Sequence, residues 1–251
     1  MAHVPDTGKM AHGPDTDKLM KLLEFVRTSK TTVLTISNLN ITSLPELPST
    51  IREIICNYLP LTSLATLPPD LESLSCAYTK ITTLPPLPNH LRRLTCNNTL
   101  LTSLPPLPKG LQLLCCSNTA ITNLPPLPPY LIKLICNDTQ IIELPKLPST
   151  LEILNCSSNN IQIIPYLPQT LKILNCVQCP LVIKKQSSET IKNYNKRLYI
   201  FIKQYSSYLS KKRCLERTAI IKEELMAAVW HPRRIERLLN AGYSFEEVFG
   251  D

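Results

Sequence analysis

Ten cysteines and four histidines are the side chains of this 251-residue sequence best suited to hold a metal or attack an electrophile. Seven of the cysteines, at positions 56, 76, 96, 116, 136, 156 and 176, recur every twenty residues, which could be read as a metal-binding column. The context favours packing. Each follows an apolar residue by two positions, and a free cysteine behaves as a small buried hydrophobe with a weak S–H donor. If the cysteines sit on neighbouring parallel strands, their Cβ atoms lie near the ~4.8 Å strand spacing, beyond the ~3.5–4.5 Å that a disulfide needs. They are therefore expected to stay reduced, with Cys115, outside the register, as the most reactive thiol. Cys176-Val-Gln-Cys179 has the spacing of a zinc or redox pair, but no second pair accompanies it. His3, His12, His90 and His231 show no ligand spacing and no nearby Cys or carboxylate partner in the sequence, so neither a zinc site nor a nucleophilic triad follows. No glycine-rich phosphate loop is present. No catalytic, metal or cofactor residue is expected, and the chain reads as non-enzymatic.

The twenty-residue period runs through the whole middle of the sequence. Leu84-Pro-Pro-Leu87-Pro-Asn-His-Leu91-Arg-Arg-Leu94-Thr-Cys96-Asn-Asn-Thr99-Leu-Leu101 is echoed from Leu104, Leu124 and Leu144, and more loosely from Leu44, Leu64 and Ile164. Val33 to Ser43 is a half-copy that lacks the proline segment. The spacing Leu91-x-x-Leu94-x-Cys96-x-x-Thr99-x-Leu101 is that of a leucine-rich repeat, in which a short parallel strand turns alternate residues inward. One coil cannot bury such a row, whereas a stack of coils builds a continuous core. The Leu-Pro-x-Leu-Pro segments account for most of the 23 prolines. Polyproline II has about three residues per turn, so Leu84 and Leu87 are expected on the core side, and it needs none of the N–H groups that proline lacks. Thr79, Thr99, Thr119, Thr139 and Asn159 are expected to form a polar ladder bonding backbone groups between coils.

From Leu44 to about Ile183 this consensus closely resembles the repeats of the bacterial effector family that includes YopM and the IpaH-type ubiquitin ligases. The resemblance implies the fold and says little about function, since those proteins share the coil and differ in what they append. The ligase branch carries a large C-terminal catalytic domain with a Cys-x-Asp motif. Here about 68 residues follow the repeats, and the nearest candidate reads Cys214-Leu215-Glu216, which departs from that motif.

The two ends differ in material from the repeats. Met1 to Lys9 is nearly duplicated as Met10 to Lys18, a polar stretch expected to be flexible over 1–16. Leu19, Leu22, Leu23 and Val26 make an apolar helical stripe, giving an N-terminal capping helix within 17–30, and the repeats occupy 31–183. Residues 184–251 form a basic tail with 14 Lys/Arg and 8 Asp/Glu, which holds most of the formal charge of +8. Ile191, Tyr194, Leu198, Ile202, Tyr205 and Leu209 recur at helical spacing after a candidate cap at Ser188, and Leu215 to Trp230 continues as a second helix. Pro232 starts a short helix to Asn240, Gly242 suits its C-cap, and Ser244 with Glu247 suits a capping box. Trp230 is expected in the core of this cap, and Lys211-Lys212-Arg213 on a solvated helix end. The closing stretch Val229-Trp-His-Pro-Arg-Arg-Ile-Glu-Arg-Leu-Leu-Asn-Ala-Gly-Tyr-Ser-Phe-Glu-Glu resembles the endings of leucine-rich-repeat proteins of giant amoeba-infecting viruses. That resemblance implies a viral protein made in a host cytoplasm. Free thiols, a polar start without a secretory apolar run and no apolar stretch of membrane-spanning length agree with a cytoplasmic location.

What the core does not claim is the outward side of each strand. Arg93, Leu113, Cys115, Lys133, Ile135, Ile153, Asn155, Ile173, Asn175 and Val177 are the candidate protein-binding residues, flanked by Thr95, Asn97, Ser117, Asn137 and Ser157. The early coils of this face are polar and the later ones apolar, and a contiguous apolar patch marks a contact surface. The expected architecture is an α/β leucine-rich-repeat solenoid with a parallel sheet on one face, polyproline II segments on the other, and helical caps. The expected function is binding of another protein through the strand face, as a viral effector or scaffold, with no membrane partner. Two other readings are an adaptor that recruits ubiquitination or other host complexes through the helical tail, and nucleic-acid contact by that basic tail.

Overall fold

The structure, a computed structural model, describes residues 14–29, 31–181, 184–186 and 188–201. The chain divides into two compact units, 1–195 and 196–251. The twelve residues 184–195 thus belong with the repeats and not with the tail, because the segment after the last coil turns back onto it. The expectations for the first duplicated stretch, for Cys214, Lys211-Lys212-Arg213 and Trp230, and for the helices beyond residue 201 lie outside the described residues.

Unit 1 opens with α1 (Pro14–Ser29). Proline at the first helical position and Asp15 and Asp17 in the first turn suit a helix N-terminus, where the N–H groups need no partner and the dipole favours negative charge. The helix begins at Pro14, earlier than the apolar stripe alone indicates. Tertiary contact fixes this start: Asp15 Oδ2 accepts a hydrogen bond of 2.9 Å from the backbone N–H of Asn40, and Oδ1 accepts one of 2.9 Å from Lys18. These bonds hold the Asp15 carboxyl below the ordinary aspartate value, the backbone bond from Asn40 contributing most. Leu19, Leu23 and Val26 are buried, while Leu22 is only partly covered.

Eight three-residue strands follow: β1 (Val33–Thr35), β2 (Glu53–Ile55), β3 (Ser73–Ser75), β4 (Arg93–Thr95), β5 (Leu113–Cys115), β6 (Lys133–Ile135), β7 (Ile153–Asn155) and β8 (Ile173–Asn175). They form one parallel sheet in sequential order, each residue paired with the one twenty positions on, as in Leu94↔Leu114 and Leu114↔Leu134. The ladder extends past the strands. Arg92 N–H donates to Glu72 O (2.8 Å), Cys96 N–H to Cys115 O (2.8 Å) and Asn98 N–H to Ser117 O (2.9 Å). Such sharing satisfies backbone groups that a lone coil would leave unpaired.

The core is the inward row. Leu91, Leu94, Cys96 and Leu101 are each 0% exposed, and so are their counterparts in the next two coils. After each strand the chain must turn out of the sheet, and it does so through left-handed backbone at one fixed position: Asn38, Tyr58, Tyr78, Asn98, Asn118, Asp138, Ser158 and Gln178 have φ of 52–60°. Asn and Asp tolerate that region best, so tyrosine there departs from the local preference. The return path is irregular chain that ends in a turn, with the N–H of Leu91 donating to Pro88 O (3.1 Å) and the same bond in every full coil. Leu84 and Leu87 are half-buried, short of the core position expected for them, whereas Leu144, Leu147, Ile164 and Leu167 are buried. The last coil is covered, since Asn195 holds the Leu167 peptide on both sides, accepting from its N–H (2.9 Å) and donating to its O (2.8 Å). Asn195 lies in α2, helical over the described residues 191–201. Its cap is Thr190, whose Oγ1 accepts from the N–H of Asn193 at 3.2 Å, and not Ser188, which lies in the preceding turn.

Candidate functional site

The register of the sheet decides which outward residues meet. Arg93, Leu113, Lys133, Ile153 and Ile173 stand in one column across β4 to β8, and Thr95, Cys115, Ile135, Asn155 and Asn175 in the adjacent one. The register therefore brings nine of the ten expected contact residues onto one face, while Val177 lies two residues beyond the end of β8. Leu113, Cys115, Lys133, Ile135 and Ile153 are half-buried by their column neighbours, while Arg93, Ile173 and Val177 are open, the last two 54% and 67% exposed. Lys133 interrupts the apolar column between Leu113 and Ile153.

Part of this face has a structural task that the sequence did not reveal. Asn155 Oδ1 accepts from the Ser157 hydroxyl (2.9 Å) and N–H (3.3 Å), Asn175 Oδ1 from the Val177 N–H (3.3 Å), and Asn137 Oδ1 from Ser117 Oγ (2.7 Å) and Asn155 Nδ2 (3.2 Å). These amides satisfy strand-end backbone and one another. The apolar members Leu113, Ile135, Ile153 and Ile173 have no comparable role, which makes them the more informative part of the surface.

The cysteines behave as core. Cys56, Cys76, Cys96, Cys116, Cys136 and Cys156 are 0% exposed, and all nine described cysteines carry free thiols. Burial pushes the Cys56 and Cys116 thiols up to about 12 and raises those of Cys76, Cys96, Cys136 and Cys156 well above the ordinary value too, with neighbouring thiols adding to it at all of these but Cys56. Cys115 and Cys176 are only half-buried and less strongly raised. Cys176 thus joins Cys115 as an accessible thiol, because it faces the end of the stack. Cys179 is buried at the position where four earlier coils carry Thr and the preceding one Asn159, and its thiol donates to Cys156 O at 3.0 Å. Among the described residues no group of three or more His, Cys, Asp and Glu converges.

The ladder expected between coils is mostly within them. Thr99 Oγ1 donates to Cys96 O (2.8 Å) three residues earlier, as do Thr79 to Cys76 O (2.9 Å), Thr119 to Cys116 O (2.8 Å) and Thr139 to Cys136 O (3.1 Å). Each of these hydroxyls is spent on a carbonyl of its own coil, and only that of Thr139 among them also meets a side chain of the next coil, Asn159 Oδ1. The longer amide of Asn159 does reach across, donating to Cys136 O (2.8 Å) and Cys156 O (3.0 Å) and accepting from the Ile141 N–H (3.1 Å).

Two features of the surface were missed. Tyr58 and Tyr78, both at left-handed positions, stack with ring centroids 4.4 Å apart and planes 12° from parallel. Beside the strand face, an open cavity of about 620 Å³ lies among Arg92, Gly110, Gln112, Tyr130, Ile132 and Glu152. Aromatic residues at a position that otherwise takes small or amide-bearing polar residues, and the one glycine within the repeats, were the available signals.

Among solved structures, the chain is similar to a Shigella effector leucine-rich-repeat domain, at 30% identity with a TM-score of 0.63, covering 69% of this chain and 80% of that one. It is also similar to YopM, a leucine-rich effector protein of Yersinia pestis, at 24% identity with a TM-score of 0.58, covering 69% of this chain. It spans 56% of YopM's length. No family profile matches the chain, and neither does a curated protein. Among the described residues no helix is long and apolar enough to cross a membrane.

Proposed function

The chain belongs to the leucine-rich-repeat family represented by the Shigella effector domain, and from that membership we propose that it is a non-enzymatic protein-interaction module that engages its partner through the strand face. The observation that carries this reading is the row of Leu113, Ile135, Ile153 and Ile173 on the open side of the sheet, apolar residues that the coil's own packing does not require. Apolar area left at the centre of a rigid surface is what a protein interface uses, with a few buried anchors supplying most of the energy. Eight strands joined by backbone hydrogen bonds present it without an ordering cost at the moment of binding. The role we assign is that of a viral effector or scaffold acting in a host cytoplasm. The effector part is supported by the family, and the viral part by the Trp230-His-Pro-Arg233 ending of the sequence.

A photo-crosslinking side chain tests the face directly. Placed at Ile135 on the sheet and, separately, at Pro126 on the opposite wall, it is expected in amoebal lysate to give a discrete protein adduct at 135 and none at 126. Adducts from 126 alone, or equally from both, would move the binding surface off the sheet.

A further inference from the structure

We infer that the segment seated on the strand face is acidic, placing carboxylates on Arg92, Arg93 and Lys133 and one large apolar side chain in the cavity at Gly110. This rests on the strand-face reading and adds the chemistry of the partner.

The residue just before each of β2 to β8 forms a column along the edge of the face: Arg52, Glu72, Arg92, Gln112, Ile132, Glu152 and Lys172. At its two ends the charges are already neutralised, Arg52 Nη1 lying 2.7 Å from Glu72 Oε1 and Lys172 Nζ 2.8 Å from Glu152 Oε2. The middle is different. Arg92 and its exposed neighbour Arg93 have no ion-pair partner among the described residues, and neither does Lys133 two strands along the same column as Arg93. The nearest acid of that column, Glu53, stands two strands to the other side of Arg93, roughly 10 Å away at ~4.8 Å per strand. Three cations without carboxylates, beside Leu113, Ile135 and Ile153, make a surface complementary to a segment that mixes acidic and apolar residues.

Gly110 adds a place for an anchor. At this position the other full coils carry Thr50, Asp70, His90, Tyr130, Thr150 and Thr170. Nothing in the backbone calls for glycine: its φ lies outside the left-handed region, and an added Cβ would meet only Asn89 O, at 3.9 Å. The missing side chain instead opens the 620 Å³ cavity, with Arg92 on one side, Tyr130 and Ile132 as apolar walls, and Glu152, occupied by Lys172, at the far end. Tyr130 is 62% exposed and Ile132 39%, so an entering side chain would cover them. A phosphate backbone fits less well. Residues 31–181 carry eight Lys/Arg against seven Asp/Glu, far from the polycationic balance of a nucleic-acid surface, and phosphates gain nothing from an apolar floor.

Panning a random dodecapeptide display library on the full chain tests the inference. Enriched peptides are expected to carry more Asp and Glu than the starting library together with a Leu, Phe or Trp. A synthetic peptide from that set should bind at least tenfold more weakly to Arg92→Glu/Arg93→Glu and to Gly110→Gln, and the double charge reversal should itself select Lys- and Arg-rich peptides. Both variants change exposed or open positions, and a melting curve matching the parent's confirms that they are folded. Peptides enriched without acidic bias, indifference to the charge reversal, no enrichment at all, or tighter binding of a single-stranded oligonucleotide probe would overturn the inference. A separate variant, Leu113→Gln/Ile135→Gln/Ile153→Gln/Ile173→Gln, keeps the two possible failures apart. Loss of peptide binding in it with no charge dependence sinks only the acidic partner, whereas undiminished binding to it sinks the strand face.

Discussion

The two sides of each strand obey different constraints. The inward column reads Leu74, Leu94, Leu114, Leu134 and Leu154 without change, while the outward column beside it reads Ser73, Arg93, Leu113, Lys133 and Ile153. Inside the stack, every residue's neighbour is its own copy one coil away, so a side chain that fits once must fit each time and any change in volume is felt by both neighbours. Outside, the neighbour is solvent or a partner. Repetition therefore identifies what the fold needs, and variation on the same strands identifies what it leaves available.

The largest way to break this contrast is to open the stack. Removing residues 186–251 takes away Tyr194, which is 1% exposed, and the Asn195 clamp on Leu167, and it uncovers the last inward row, as end coils need covering. Loss of cooperative unfolding or aggregation in size-exclusion chromatography is expected, and a truncated monomer with an unchanged melting point would show that the tail does not cap. Next in size, Leu134→Ala deletes a fully buried side chain between two identical neighbours. It should cost about 2–5 kcal/mol in urea denaturation.

The thiols sharpen the contrast through pH. Burial raises the folded-state value of Cys96 well above 9.0, so above pH 9 the unfolded chain releases a proton that the folded chain keeps, and stability must fall as pH rises. Each such thiol contributes a slope approaching about 1.4 kcal/mol per pH unit, and Cys96→Val should remove one share of the alkaline loss between pH 9 and 11. An unchanged pH dependence would contradict a buried thiol there. The smallest effect belongs to the outward side: Ile173→Gln, at a position 54% exposed, should shift stability by about 0.5 kcal/mol or less.

The period of twenty made the coil, its inward row and the eight strands legible before any coordinates, because a repeat contacts only its neighbours and so carries its tertiary structure in local spacing. Reading failed where a contact crosses that period. The start of α1 at Pro14 depends on Asp15 meeting Asn40, residues linked by no repeat spacing. The threonine ladder was assigned between coils because its residues align in register, yet each hydroxyl bonds the carbonyl three residues back, and the crossing is made where Thr139 meets the longer Asn159. Leu84 and Leu87 were expected inside from polyproline geometry alone, which says which side a residue faces and not how much covers it. The candidate surface was legible as a set of columns, but its cavity arises from Arg92, Gly110 and Tyr130 on three successive coils, and an absent side chain leaves little trace in a pattern of present ones.

The separation of fold from binding is tested most directly by the fourfold variant Leu113→Gln, Ile135→Gln, Ile153→Gln, Ile173→Gln, compared with the parent chain for both melting and partner capture from amoebal lysate. Glutamine keeps an aliphatic stem along its column neighbours, so one cooperative transition should persist, with a combined loss of about 2 kcal/mol at about 0.5 kcal/mol per site. The proteins recovered by the parent should be absent from the variant. Recovery of the same proteins by a folded fourfold variant would contradict the account.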